Sequence, residues 1–276
     1  MTLPELKEKI ESQIREIKGN CALAFKNLSA PSEIILLNEN EKFHAASTMK
    51  TLVMIEVFKQ AEEGKFKLTD TILVRNEFKS IADGSPFQLD IDRDGCESLY
   101  NSIGEEVAIY DLLYEMITVS SNLAANLLIE LVDAKNITVT MHKLGARNIR
   151  IIRGVEDLKA YDLGMNNTLT ALDLLIVFEN IICGKAVSRK ASEEMIKILL
   201  GQKFNNIIPA LLPKEIKVAH KTGSFEGVRH DSGIIFLPDG RKYILVLLSN
   251  NLKDVNISIN IMTNISKSIY DYLKLN

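Results

Sequence analysis

The 276-residue sequence has only three cysteines, Cys21, Cys96 and Cys183, far apart and with no Cys-x-x-Cys pair. That spacing excludes a zinc ribbon and a thioredoxin-like redox motif. An odd count without a targeting signal suits a reducing compartment, where such residues serve as small buried hydrophobes. No run of Lys or Arg stands out and the net charge is −3, so nucleic acid and anionic membranes are poor partners. Nothing approaches the roughly 18 apolar residues of a membrane span. Residues Met1 to Lys7 carry charge where a secretory leader carries its apolar core, and they read as the start of folded protein. This implies a cytoplasmic chain as the sequence stands, or a secreted one if a leader precedes it. Internal repeats and low-complexity segments are absent.

What is present is a globular composition, 46% hydrophobic and 25% charged. Leu6, Ile10, Ile14 and Ile17 recur at helical spacing, and Gly19-Asn20 ends that helix. Cys21–Phe25 and Ile34–Leu37 read as the strands of a hairpin. From about residue 45 a mostly buried helix runs without a breaker until Gly64. Further helices are expected over Ile109–Val119, Asn122–Val132, Val139–Leu144, Thr170–Ile182 and Ser188–Leu200, with loop-rich stretches at 76–104 and 153–167. Strands return at Lys217–Thr222, Ser232–Leu237 and Tyr243–Ser249, the last two joined by the turn Pro238-Asp239-Gly240-Arg241. An amphipathic helix over Ile257–Leu275 closes the chain. Strands segregated at the two ends around a helical middle indicate an α+β architecture.

Three short motifs carry chemistry. Ser47 and Lys50 stand three positions apart on a helix, so the Lys50 amine can reach the Ser47 hydroxyl and act as its base if burial lowers its pKa. Ser120-Ser121-Asn122 lies between two helical runs; a hydroxyl there can relay a proton, and the Asn amide can hold a substrate amide. Lys221-Thr222-Gly223 sits on a strand, presenting a cation and a donor for a substrate carboxylate, with a Gly that permits close backbone approach. Each motif alone is common by chance. The order Ser-x-x-Lys, Ser-x-Asn, Lys-Thr-Gly is specific.

On these three motifs, over nearly its full length, the sequence resembles the class A β-lactamases and penicillin-recognising D-alanyl-D-alanine peptidases. The resemblance implies a five-stranded antiparallel sheet flanked by the N- and C-terminal helices (residues 1–44 and 205–276), with an inserted helical lobe (45–204) and the active site between. By position, Ser47 is then the acylated nucleophile, Lys50 its base and Ser120 the proton relay. Asn122, Lys221, Thr222, Gly223 and Ser224 bind substrate, the N–H groups of Ser47 and Ser224 forming the oxyanion hole. The implied substrate is a small β-lactam or a peptide-like molecule, with no cofactor. His44 and His142 lack zinc-site spacing and no His-x-His-x-Asp cluster occurs, which excludes a metallo-β-lactamase.

The match loosens in two places. The family's Glu-Pro-x-Leu-Asn pattern, whose glutamate activates the deacylating water, is missing. Glu156 lies at about the right separation, Ala160 stands where the Asn belongs, Asn166-Asn167 substitutes only if the loop is rerouted, and Asp162 is an alternate acid. Ser121 replaces the usual Asp of the middle motif and is expected to cap the following helix. Arg229 and His230 read as a solvated strand edge, and Tyr100 as a cleft wall or a packing residue. Beside the β-lactamase, the alternatives are a D-alanyl peptidase, esterase or amidase with slow deacylation, and a non-catalytic sensor of the same fold.

Overall fold

A computed structural model describes residues 1–275. The chain opens with helix α1 (Leu3–Arg15) and the hairpin β1 (Asn20–Asn27) and β2 (Ile34–Leu37). Strand β3 (Phe43–His44) and a 3-10 turn (Ala46–Thr48) lead into α2 (Met49–Glu62). Then come β4 (Thr71–Leu73), β5 (Phe78–Lys79), β6 (Pro86–Phe87), α3 (Glu97–Asn101) and β7 (Glu106–Ala108). The helical middle continues with α4 (Ile109–Thr118), α5 (Asn122–Val132), α6 (Ala134–Lys143) and α7 (Leu158–Asp162). Strand β8 (Thr168–Leu169), α8 (Ala171–Ile182) and α9 (Arg189–Leu199) follow. The last part is β9 (Lys217–Phe225), β10 (Val228–Phe236), β11 (Lys242–Asn250) and α10 (Val255–Leu275).

The five long strands form one antiparallel sheet in the order β2-β1-β11-β10-β9. Both its faces are covered, and strand side chains alternate between two cores. Leu23, Phe25, Tyr243, Leu245 and Leu247 meet α1 and α10 through Leu6, Ile10, Ile265 and Ile269. Their neighbours Ala22, Ala24, Ile244, Val246 and Leu248 face the other way, into a core shared with α2, α4, α5 and α8. Helix α1 is set by its start: Thr2 and Glu5 form a reciprocal capping box, with Pro4 in the first turn. The α+β fold with its covered five-stranded sheet is therefore as the sequence implied.

Helix α2 is buried at every position from Met49 to Phe58. A helix apolar on all sides belongs in a core, yet this one also takes in Lys50, Thr51 and Glu56. Glu56 is satisfied by Gln60 and Thr140; Lys50 is described below. Three expectations shift. The segment from residue 45 enters α2 through a 3-10 turn because Ala46 takes φ +43°, outside helical geometry. Helix α6 begins at Ala134, since the Asp133 side chain caps it by accepting from Lys135 N. Cys183 is exposed, unlike buried Cys21 and Cys96, because it lies past the last turn of α8. Among the described residues, no helix is long and apolar enough to cross a membrane.

Gly233 packs β10 against β9 so closely that a Cβ there would stand 2.4 Å from the Ala219 carbonyl oxygen. Since the obstacle is backbone, Gly233→Ala is expected to destabilise the protein by about 1–3 kcal/mol. Urea unfolding with an unchanged m-value reads that loss, and an unaltered midpoint would contradict it.

Candidate active site

The 3-10 turn presents Ser47 half-buried in a cleft of about 680 Å³ that also contains Ser120, Asn122, Glu156, Thr222, Gly223 and Ser224. The turn is tied down on several sides. Ala45 N donates to Asn167 O at 2.9 Å, Ala46 N donates to His44 Nδ1 at 3.1 Å, and Thr48 Oγ1 donates to Ala45 O. Behind it stands His230, which is fully buried and not part of a solvated strand edge. Its Nδ1 accepts from Ser249 N at 3.1 Å and its Nε2 lies 2.9 Å from His44 O. Those partners select the neutral tautomer with the proton on Nε2. Burial pushes the His230 pKa down to about 4, so the ring stays neutral near pH 7. Strand β9 closes on the turn through Gly223, where a Cβ would come within 3.2 Å of Ala46 Cβ and Thr48 Cγ2.

One turn behind Ser47, Lys50 is completely buried. Its amine donates to Ser120 O at 2.6 Å, Asn122 Oδ1 at 2.7 Å and Ser120 Oγ at 3.3 Å. The spacing argument placed this amine against the Ser47 hydroxyl; its hydrogen bonds go across the cleft to the Ser-x-Asn motif, since three acceptors converge on it from that side. Burial pushes the Lys50 pKa down to about 7, opposed by the negative charges of Asp94 and Glu156. Lys221 is also fully buried, donating to Ser120 Oγ at 3.0 Å and Thr222 O at 3.0 Å. Burial and then the charge of Lys50 hold it well below the ordinary lysine value, with Asp231 opposing. The Ser120 hydroxyl thus accepts from two amines, leaving its own proton for a third partner.

Asn122 uses both ends of its amide. Oδ1 takes the Lys50 amine, and Nδ2 donates to Glu156 Oε1 at 2.7 Å and to Arg93 O at 3.2 Å. The second oxygen of Glu156 accepts from Asp90 N at 3.0 Å. A chain of contacts therefore joins Lys50, Asn122, Glu156 and the backbone at Asp90. Ser121 caps α5 as expected, its Oγ accepting from Ala124 N.

Glu156 belongs to a loop held at its neck. Arg153 donates to Met165 O, Gly154 O and Asn166 Oδ1, while Asn167 accepts from the N–H groups of Ile152 and Arg153. The Asn126 amide grips the loop from α5, accepting from Val155 N at 2.7 Å and donating to Val155 O at 3.1 Å. Gly154 makes that contact possible, because a Cβ would fall 2.4 Å from Asn126 Oδ1. Ala160 is buried and brings no amide to the cleft. Both Asn166 and Asn167 have their amides engaged at the neck, and Asp162 is exposed beyond the cleft lining.

Strand β9 is the edge of the sheet, and Thr222, Gly223, Ser224 and Phe225 border the cleft. Arg229 also lines it, with its guanidinium donating to the carbonyls of Phe225 and Val228. Tyr100 lies outside the lining and donates its hydroxyl to Asp94. Sequence reasoning overlooked Asp94, Asn126 and Arg153, and it considered Asn167 only as a substitute for the missing Asn, not as part of a neck. It also overlooked an aromatic group in which His44 stacks on Phe225 at 5.6 Å and Tyr161 meets both edge-on. Local pattern carries no signal for partners 14 to 181 residues apart; the isolated Gly95 and Gly154 were the available hints of close backbone approach.

The model of the beta-lactamase enzyme family matches residues 5–273, and the chain belongs to that family. It is 23% identical to Beta-lactamase CARB-3 of Pseudomonas aeruginosa across 68% of this chain, a match spanning 62% of that relative's length. To Extended-spectrum beta-lactamase PER-1 of the same organism it is 24% identical, over 98% of this chain and 87% of the relative. The crystal structure of a beta-lactamase from Sphaerobacter thermophilus superposes with a TM-score of 0.83 at 24% identity, covering 98% of this chain and 97% of the other.

The Lys50 side chain is expected to titrate with a midpoint near pH 7 in the folded protein, against roughly 10.4 in an unfolded chain. Between those values the unfolded chain binds more protons, so this group makes stability rise as pH climbs through that window. The 13Cε shift in lysine-labelled protein, assigned with Lys50→Arg, measures the midpoint. A value near 10 would overturn the reading of Lys50 as a desolvated amine.

Proposed function

We propose that this protein is a serine β-lactamase of the class A kind, opening the cyclic amide of small β-lactams through an acyl-enzyme on Ser47. The observation that carries this is the Lys50 amine: buried, lowered to about pH 7, and hydrogen-bonded to Ser120 and Asn122 in the cleft that holds Ser47. An ammonium cannot accept a proton, and a surface lysine is an ammonium at neutral pH. Burial is what makes this one a usable base.

In the first half, Ser47 Oγ attacks the carbonyl carbon as its proton passes to Lys50 Nζ. The N–H groups of Ser47 and Ser224 stabilise the negative oxygen of the tetrahedral intermediate. When the C–N bond breaks, the Ser120 hydroxyl gives its proton to the departing nitrogen and is resupplied from the amines on either side of it. Asn122 orients the substrate amide. Thr222 and the Lys221 amine take the carboxylate, whose negative charge offsets the burial that depresses Lys221. Gly223 keeps the strand within reach of the turn. In the second half, Glu156 removes a proton from water as the water oxygen attacks the ester; when the ester C–O bond breaks, the Ser47 oxygen takes a proton and Glu156 gives up the one it gained, so both return to their starting state.

A second reading, favoured by one feature, keeps the first half and slows the second. The Glu156 carboxylate is held by Asn122 and Asp90 N, and buried Ala160 offers the water no amide partner. On that reading the protein is a peptidase- or esterase-like relative that releases its acyl group slowly. A non-catalytic sensor is disfavoured because the buried amine has no structural use that a hydrophobic side chain would not serve better.

Stopped-flow turnover of a chromogenic cephalosporin, followed by intact mass, separates these readings. A transient adduct on Ser47, lost in Ser47→Ala, is expected. Glu156→Gln should leave acylation nearly as fast while slowing deacylation by about 10²–10⁴-fold, so that the adduct accumulates. A wild type that is never acylated sinks the proposal, and one that stays acylated selects the second reading.

A further inference from the structure

We propose that Asp94 is the positioning residue of this cleft: from a separate loop, its carboxylate fixes the Ser120–Leu123 turn so that Ser120 and Asn122 converge on the Lys50 amine. The inference rests on the function proposed above and adds a residue that the three motifs do not contain.

The contacts are dense for one side chain. Oδ2 accepts from Asn122 N and Leu123 N, both at 2.8 Å, from Tyr100 Oη at 3.2 Å and from Ser121 Oγ at 3.3 Å. Oδ1 accepts from Cys96 N at 2.9 Å. Asn122 and Leu123 open α5, so a full negative charge meets two free N–H groups at the positive end of a helix. Two residues before this helix start, Ser120 holds φ +62°, a conformation a serine adopts only when its surroundings impose it. The Ser120 carbonyl and hydroxyl and the Asn122 amide oxygen are the three acceptors of the Lys50 amine. Releasing the turn would therefore scatter all three.

The loop that brings Asp94 is itself pinned. Gly95 approaches the Val119 carbonyl so closely that a Cβ would overlap it at 1.6 Å. On the other side, Arg93 O accepts from Asn122 Nδ2 and Asp90 N donates to Glu156. Asp94 is partly buried and borders the cleft.

A second consequence is electrostatic. The charged groups facing Lys50 are Asp94 from this loop, Glu156 from the loop at 153–167, and Lys221 from β9. Asp94 and Glu156 favour the ammonium, while Lys221 disfavours it. Removing the Asp94 charge must lower the pH at which Lys50 loses its proton. An element that merely held the fold together would not move that midpoint in a fixed direction.

The test compares wild type with Asp94→Asn, which keeps one acceptor oxygen and loses the charge, and Asp94→Ala, which loses both. Two quantities are read: the Lys50 13Cε titration in the free protein, and the pH profile of acylation by a chromogenic cephalosporin. Both variants are expected to move the titration midpoint and the acid limb of acylation to lower pH. At its optimum, Asp94→Ala should acylate about ten- to hundredfold more slowly, with Asp94→Asn in between. Unmoved midpoints in the variants would overturn the proposal. So would an Asp94→Ala protein that unfolds at the wild-type temperature and acylates within about twofold of it. Should Asp94→Ala fail to fold, the midpoint in Asp94→Asn decides alone. Should wild type never be acylated, the function proposed above fails while the titration still judges Asp94.

Discussion

Everything in the cleft is arranged around one buried amine. Lys50 is wholly removed from water inside a helix that is apolar on nearly every side. An isolated ammonium there would cost several kcal/mol. The protein reduces that cost by surrounding the amine with oxygen acceptors from the α4–α5 turn and by letting its pKa fall to about 7. Those acceptors are in turn fixed by Glu156, Lys221 and Asp94, which come from three separate segments. The site is a polar network inside a core, and such a network is stable only when each member has its partner.

Backbone strain is concentrated at the same place. Six non-glycine residues among those described have positive φ. Asn38, Asp133 and Asn251 are residue types that tolerate the left-handed region. Ala46, Ser120 and Glu156 are not, and they place the Ser47 turn, the Ser120 hydroxyl and the loop carboxylate respectively. Each position costs of order 1–3 kcal/mol unless neighbours over-determine it. The neighbours are visible: Asn167 and His44 at the first, Lys50 at the second, Asn122 and Asp90 at the third.

How much of this was legible in the sequence depends on the range of the interaction concerned. Helix α5 and β11 are written in local periodicity, and their boundaries fall within a residue or two of expectation. The motifs Ser47–Lys50, Ser120–Asn122 and Lys221–Gly223 were readable because their chemistry needs fixed residue types at fixed spacing. Residues that act by reaching across the fold were not. Asp94 meets α5 from 28 residues away, and Asn126 meets Val155 from 29. His230, read as a strand edge, is buried because β3 lies over it, a two-residue strand that no periodicity can announce.

The neck formed by Arg153 and Asn167 gives the loop between them a particular evolutionary freedom. Its two ends are fastened at the neck, Asn126 grips it at Val155, Ser80 and Ile81 N hold Asp157, and Asn167 O in turn accepts from Ala45 N beside the Ser47 turn. The exposed residues Asp162 to Gly164 can therefore change in sequence, and even in number, whereas Tyr161 packs on His44 and would carry a change to the Ser47 turn. The tip of the loop is an exchangeable segment beside a pinned cleft. Under the function proposed above, selection can thus retune release of the ester at this tip while leaving the Ser47 turn in place.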